Sequence, residues 1–181
     1  MAITQLDSAI ALIAIDTQKG IVPPLLGAQE MVTATARLAE AFHEAGKPVV
    51  WVHAVGLPSG RTNFEMPAGE PREDFAQLVD DLPVLDSDQH FNKQATSPFA
   101  VTDIHEWLQE RGITQVVITG IATGMGVLST AFSAYDKGYN VAVASDATFD
   151  FNPARGEATL TQLLPAIAQV GTVAEITDKL S

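Results

Sequence analysis

The sequence predicts a doubly wound α/β fold: a parallel sheet with helices on both faces. Three observations carry this. Short apolar runs alternate with segments of helical periodicity along the chain, the pattern of repeated βα units. The runs are continuously apolar rather than alternating, as in strands covered on both faces. One of them, Val116–Thr119, passes through small residues, Gly120 to Gly126, straight into a helical segment. Such strand-to-helix turns aim backbone N–H groups at a crevice and are where parallel sheets bind ligands.

Taken in order, SAIALIAID (Ser8–Asp16) is too brief for a helix and reads as a first strand, with Asp16 at its carboxyl end. Met31, Thr35, Leu38 and Phe42 recur at helical spacing, and Gly46 then Pro48 stop that helix. Lys47–Ala54 is a second strand. Residues 55–71 form a Gly- and Pro-rich loop containing Arg61, Asn63 and Phe64, and a loop of this length in a compact domain is more often functional than idle. Glu73–Leu78 is expected to form a short helix. Leu82–Asp86 and Gln89–Lys93 are both extended in character, the second leading into the third strand position. Thr102 caps a helix carrying Ile104, Trp107, Leu108 and Arg111, ended by Gly112. Beyond the fourth strand, Val127, Ala131 and Ala134 form the small face of a helix. Tyr139–Ala147 is a further strand. Pro153 opens a last long helix towards Val170, and Thr172–Ile176 is expected as an edge strand. No repeat or low-complexity tract interrupts the pattern, so residues 1–181 read as one domain.

Composition narrows the function. A hydrophobic share of 46% against 18% charge indicates a folded chain. A formal net charge of −12 argues against nucleic acid or an anionic membrane as partner. No cysteine is present, which removes disulfides, thiolate metal sites and thiol catalysis together. No secretory signal or bilayer-length apolar run is visible, so a cytoplasmic location is expected. His43, His53, His90 and His105 fall in no metal-ligand spacing, and no G-x-G-x-x-G follows the first strand. Neither a metal nor a cofactor is expected.

Three places at strand ends could carry chemistry: Asp16, Lys93 and the Gly120–Gly126 turn. From the residues alone, Asp16 is either an acid/base group or a loop hydrogen-bond acceptor, and Lys93 either its partner or a surface lysine. The stretch GIATGMGVLSTA (Gly120–Ala131) resembles the catalytic turn of the isochorismatase-like hydrolases, the cysteine-hydrolase superfamily. That turn reads roughly G-V-x-T-x-x-C-V-x-x-T-A, and its Cys is the nucleophile. Gly126 stands at that place here. DTQ (Asp16–Gln18) matches the family's D-x-Q element, and Lys93, followed by SPF at Ser97–Phe99, matches its strand-end Lys.

The resemblance covers almost the whole chain. It implies a six-stranded sheet in the order 3-2-1-4-5-6, with Asp16 as acid/base, Lys93 as its partner and Gly126 in the nucleophile's place, around one crevice. It also implies a non-proline cis peptide bond, at Ala122–Thr123, that presents amides to a substrate oxygen. Ala122, Thr123 and Met125 are therefore candidate substrate-binding residues, together with Gln18, Arg61 and Phe64. The family's habit is to form dimers or tetramers. Its nicotinamidases bind a metal through an Asp-x-His motif after the second strand, which WVHAVGLPSG lacks.

Without the sulfur no acyl-enzyme can form at this turn, and Ser129 and Thr130 lie too far into the helix to replace it. Isochorismatases within the family keep the Asp and Lys, carry Gly at this position and cleave a vinyl ether by protonating carbon. Their Tyr-Ala-His before the Gly is Ala122-Thr123-Gly124 here, closer to the cysteine enzymes. The expected activity is cofactor-free acid/base hydrolysis of a small anionic metabolite. The alternative is a family member that has lost catalysis and binds a small molecule.

Overall fold

The computed structural model describes residues 2–63 and 72–180. Phe64, one of the candidate ligand contacts, lies outside them. Six parallel strands form one sheet in the order β3-β2-β1-β4-β5-β6. They are β1 (Ile10–Ile15), β2 (Val49–Ala54), β3 (Gln89–Lys93), β4 (Gln115–Ile121), β5 (Asn140–Phe149) and β6 (Gln169–Gly171). The helices are α1 (Leu26–Glu44), α2 (Ile104–Glu110), α3 (Leu128–Asp136), α4 (Pro153–Ala158) and α5 (Val173–Thr177). No helix among the described residues is long and apolar enough to cross a membrane.

The continuous apolar runs are explained by two cores, one on each face of the sheet. Leu12, Trp51, Val117 and Ala142 pack with Met31, Leu38 and Phe42 of α1 and Ile176 of α5. Ile13, Val50, Ile118 and Val143 pack on the other face with Ile104 and Leu108 of α2, with Ala131 and Ala134 of α3 and with Val127 just before it. The central strands thus alternate between two dry layers, and β1, β2 and β4 are buried along their whole length. The helical spacing read for α1 matches its buried face, and Gly46 leaves it with φ 65, the left-handed geometry common after a helix C-terminus.

The structure differs from the sequence expectation in three places. Residues 73–78 make turns rather than a helix. Their carbonyls are taken by the loop after β1: Gly20 N–H donates to Phe75 O and Lys19 N–H to Gln77 O. The last long helix is broken into α4, a wide turn over Thr159–Leu163 and a 3₁₀ turn over Leu164–Ala166. Pro165 lacks the N–H that a continuous α-helix needs. The edge strand is Gln169–Gly171, ahead of the expected Thr172–Ile176, which instead cap and form most of α5. Thr172 and Glu175 make a reciprocal capping box at its start, so Thr172→Ala is expected to cost about 1 kcal/mol, read from the denaturant midpoint.

Candidate active site

The sheet order reverses between β1 and β4, which are hydrogen-bonded neighbours. Their chain continuations diverge there and open a crevice at the carboxyl ends. The two strand ends touch backbone to backbone. Gly120 has φ 116, and a Cβ on it would lie 2.0 Å from Ile15 O, so only glycine fits. Asp16 follows Ile15 with φ 55, a left-handed conformation that Asp tolerates better than most residues.

Asp16 and Lys93, 77 positions apart in sequence, meet. Lys93 Nζ donates to Asp16 Oδ2 at 2.8 Å and to Ala95 O at 3.2 Å. The side chains are only 9% and 2% exposed. The register explains the meeting: Lys93 ends β3 opposite Ala54, and β2 lies between β3 and β1. Asp16 Oδ1 is buried and has no hydrogen-bond partner among the described residues. Burial pushes the Asp16 carboxyl up from its ordinary 3.8; the charge and hydrogen bond of Lys93 pull it down and do not cancel the effect. A raised folded-state value means that Asp16 supports folding fully below pH 3.8 and loses that contribution as pH rises through the raised value.

The third element is the bend after β4. The cis peptide bond is Ile121–Ala122, one residue before the expected place. Thr123–Val127 forms a wide turn leading into α3. Thr123 is buried, Ala122 half-buried and Met125 exposed. Three of the bend's amides are committed to the protein: Met125 N–H and Val127 N–H donate to Ala122 O, and Gly124 N–H donates to Asp150 Oδ2 at 2.8 Å. A Cβ on Gly126 would lie 3.4 Å from Asp16 Oδ2, so Asp16, Lys93 and Gly126 share one site. The same Cβ would lie 2.9 Å from Ile15 Cγ2. Gly126→Cys is therefore expected to lower stability by about 1–3 kcal/mol, as overpacking does, a loss that thermal unfolding would detect. Ser129 and Thr130 both donate to Gly126 O, at 3.2 and 2.6 Å, which makes them helix-start braces.

Other candidates do not join the site. Gln18 is fully buried with its amide spent on the fold: Nε2 donates to Ala54 O and Phe75 O, each at 2.9 Å, and Oε1 accepts from Ala54 N–H at 2.8 Å. It is a clamp between β2 and the 72–79 segment rather than a ligand contact. Arg61 is exposed, and no described contact brings it to the crevice. Trp51 is wholly buried and donates to Asp88 Oδ2 at 2.8 Å. An open recess of about 440 Å³ among His43, Lys47, Asp88 and Arg111 precedes β2, β3 and β4, at the opposite end of the sheet.

Sequence reading missed Asp150 and Arg155. Asp150 is 2% exposed and accepts from Arg155 Nε and Nη2, from Gly124 N–H and from Asn152 N–H. Burial pushes its carboxyl up, but these hydrogen bonds and the Arg155 charge outweigh burial and hold it below 3.8. The available signal was a carboxylate closing the β5 run five residues before an arginine. Asp146, by contrast, accepts from Val173 N–H at 2.8 Å, the structural role its strand-end position suggests.

Comparison with known proteins identifies the family and the fold. The profile described as "Isochorismatase domain" matches residues 10–175. The chain is 32% identical over 179 residues to an uncharacterized isochorismatase family protein, YecD, of Escherichia coli O157:H7, covering 94% of this chain and 95% of that one. It is 31% identical over 160 residues to an Arabidopsis thaliana protein named "Probable inactive nicotinamidase", covering 79% and 82%. Among solved structures, an isochorismatase family protein from Burkholderia thailandensis superposes with a TM-score of 0.88 at 35% identity, covering 97% of each chain. On a profile match spanning most of its length and full-length relatives of this similarity, the chain belongs to the isochorismatase family.

Proposed function

We propose that this protein is a hydrolase that works by acid/base chemistry, without a covalent intermediate, on a vinyl ether or similar bond of a small anionic metabolite. One observation carries the reading: Asp16 is a buried carboxyl with one oxygen held by Lys93 and the other without a hydrogen-bond partner among the described residues. Such a group, raised by burial, can carry a proton on Oδ1 at higher pH than an ordinary carboxyl. Position 126 offers no nucleophile.

The step balances with water alone. Protonated Asp16 gives its proton to the methylene carbon of an enolpyruvyl ether, and the C=C electron pair forms the new C–H bond. The resulting oxocarbenium carbon takes up water. Loss of a proton from that water re-protonates Asp16, and the hemiketal collapses to an alcohol and pyruvate. Lys93 holds the carboxylate left after the first transfer. The bend around Thr123 supplies the polar wall against which charge develops.

The test is pyruvate release from isochorismate and from simple vinyl ether carboxylates by the purified chain. No release above the uncatalysed rate from any of them rejects the reading. The absence of cysteine also favours a second reading, a binder that has lost catalysis. Amidase activity or thiol reactivity gained by Gly126→Cys, with no turnover by the unaltered chain, supports it.

A further inference from the structure

We propose that Arg155 is the anion-recognition residue of the Asp16 crevice, aimed by Asp150, and that it binds a substrate carboxylate. This rests on the reading that the crevice holds the substrate. Arg155, on α4, packs its side chain against the bend after β4. A Cβ on Gly124 would fall 2.6 Å from Arg155 Cγ and 2.8 Å from Cδ, so the methylenes of the arginine occupy the space that Gly124 leaves open. Two residues on, Gly126 faces Asp16 Oδ2 in the same way. The guanidinium and the acid therefore flank one short bend.

Orientation is fixed from behind. Asp150 takes Nε at 3.0 and 3.1 Å and Nη2 at 2.7 Å, and is itself 2% exposed. Nη1 makes no hydrogen bond among the described residues, and the side chain stays 40% exposed. A guanidinium held along one edge presents its other edge as a planar pair of donors, which matches the two oxygens of a carboxylate. Because Asp150 offsets the charge, discrimination comes from directed hydrogen bonds more than from net attraction.

The other cations serve less well. Lys93 is 2% exposed and bonded to Asp16 and Ala95. Lys19 is paired with Asp80 at 2.7 Å. In a chain of net charge −12, an anionic substrate needs a local donor to offset the general repulsion.

The probes are 2-methoxyacrylate and its methyl ester, which differ only in the carboxylate. The expected result is that the wild-type chain prefers the acid in kcat/KM. Arg155→Gln should reduce that preference by on the order of ten- to a hundred-fold, the worth of a charged hydrogen bond, mostly through KM. The ester's rate should change little. Arg155→Lys should restore only part of the preference. The double variant Asp150→Asn/Arg155→Gln keeps the buried pair neutral and should show the same loss, which separates recognition from misfolding. Equal handling of acid and ester by the wild type, or a preference that survives in both variants, overturns the assignment. If neither compound is hydrolysed, and isochorismate is not either, the hydrolase reading fails. Equilibrium binding by NMR titration then decides this one separately, and no preference for the acid over the ester rejects it.

Discussion

Asp16→Asn is expected to remove turnover almost completely while leaving the fold intact. A positioned proton donor contributes about 10²–10⁴-fold to rate, and the amide cannot donate a proton to carbon. Asn is close in shape and can still accept from Lys93 Nζ through its Oδ1. The 2.8 Å contact therefore survives in weaker form, and circular dichroism should match the wild type. On the proposed mechanism the active form of the unaltered chain is the protonated one, so kcat should fall as pH rises through the raised value of Asp16. A rate that rises with pH over that range would show that the carboxylate, not the acid, is the working species. Equal rates for Asp16→Asn and the wild type would discard Asp16 as catalyst.

Lys93→Met is expected to destabilise the protein by about 3–5 kcal/mol near neutral pH, the usual effect of leaving a buried charge unpaired. Both side chains are nearly inaccessible, 2% and 9% exposed, so water cannot replace the lost ammonium. The effect has a distinctive pH dependence. Asp16 can escape the cost by keeping its proton, and without Lys93 its folded-state value moves further up. Between the ordinary 3.8 and that value, the folded state holds one proton more than the unfolded state. Stability should fall with rising pH by about 1.4 kcal/mol per unit. At low pH the variant should approach the wild type. Urea titrations at several pH values would read the slope directly. The falling limb of any remaining activity should shift to higher pH; a loss of stability independent of pH would mean that Lys93 acts through packing alone.

What was legible in the sequence follows from which interactions are local. The strands β1, β2 and β4 were readable because burial on both faces leaves an unbroken apolar run. The small face leading into α3 was readable because Val127, just before the helix, and Ala131 and Ala134 within it recur with the helical period. Asp16 and Lys93 stood out because each closes a strand, while Gly126 and the order that brings the three together came from the family likeness. Gln18 misled for a physical reason: a buried side-chain amide that replaces strand hydrogen bonds looks, in sequence, like a polar residue facing a ligand. Residues 73–78 misled similarly, since the loop after β1 takes their carbonyls. Arg155 went unnoticed because its partner is Gly124, 31 positions earlier in the sequence, and no periodicity announces a side chain that lies across a bare backbone.

The contact between Gly120 and the Ile15 carbonyl has a consequence for how such a scaffold diversifies. The spacing between the acid and the bend is set by two main chains in touch, with no intervening side chain to enlarge or trim. Substitutions around the rim can therefore alter which molecule is admitted while the Asp16 carboxyl stays where it was. Selection on this architecture can exchange clientele without rebuilding the reactor.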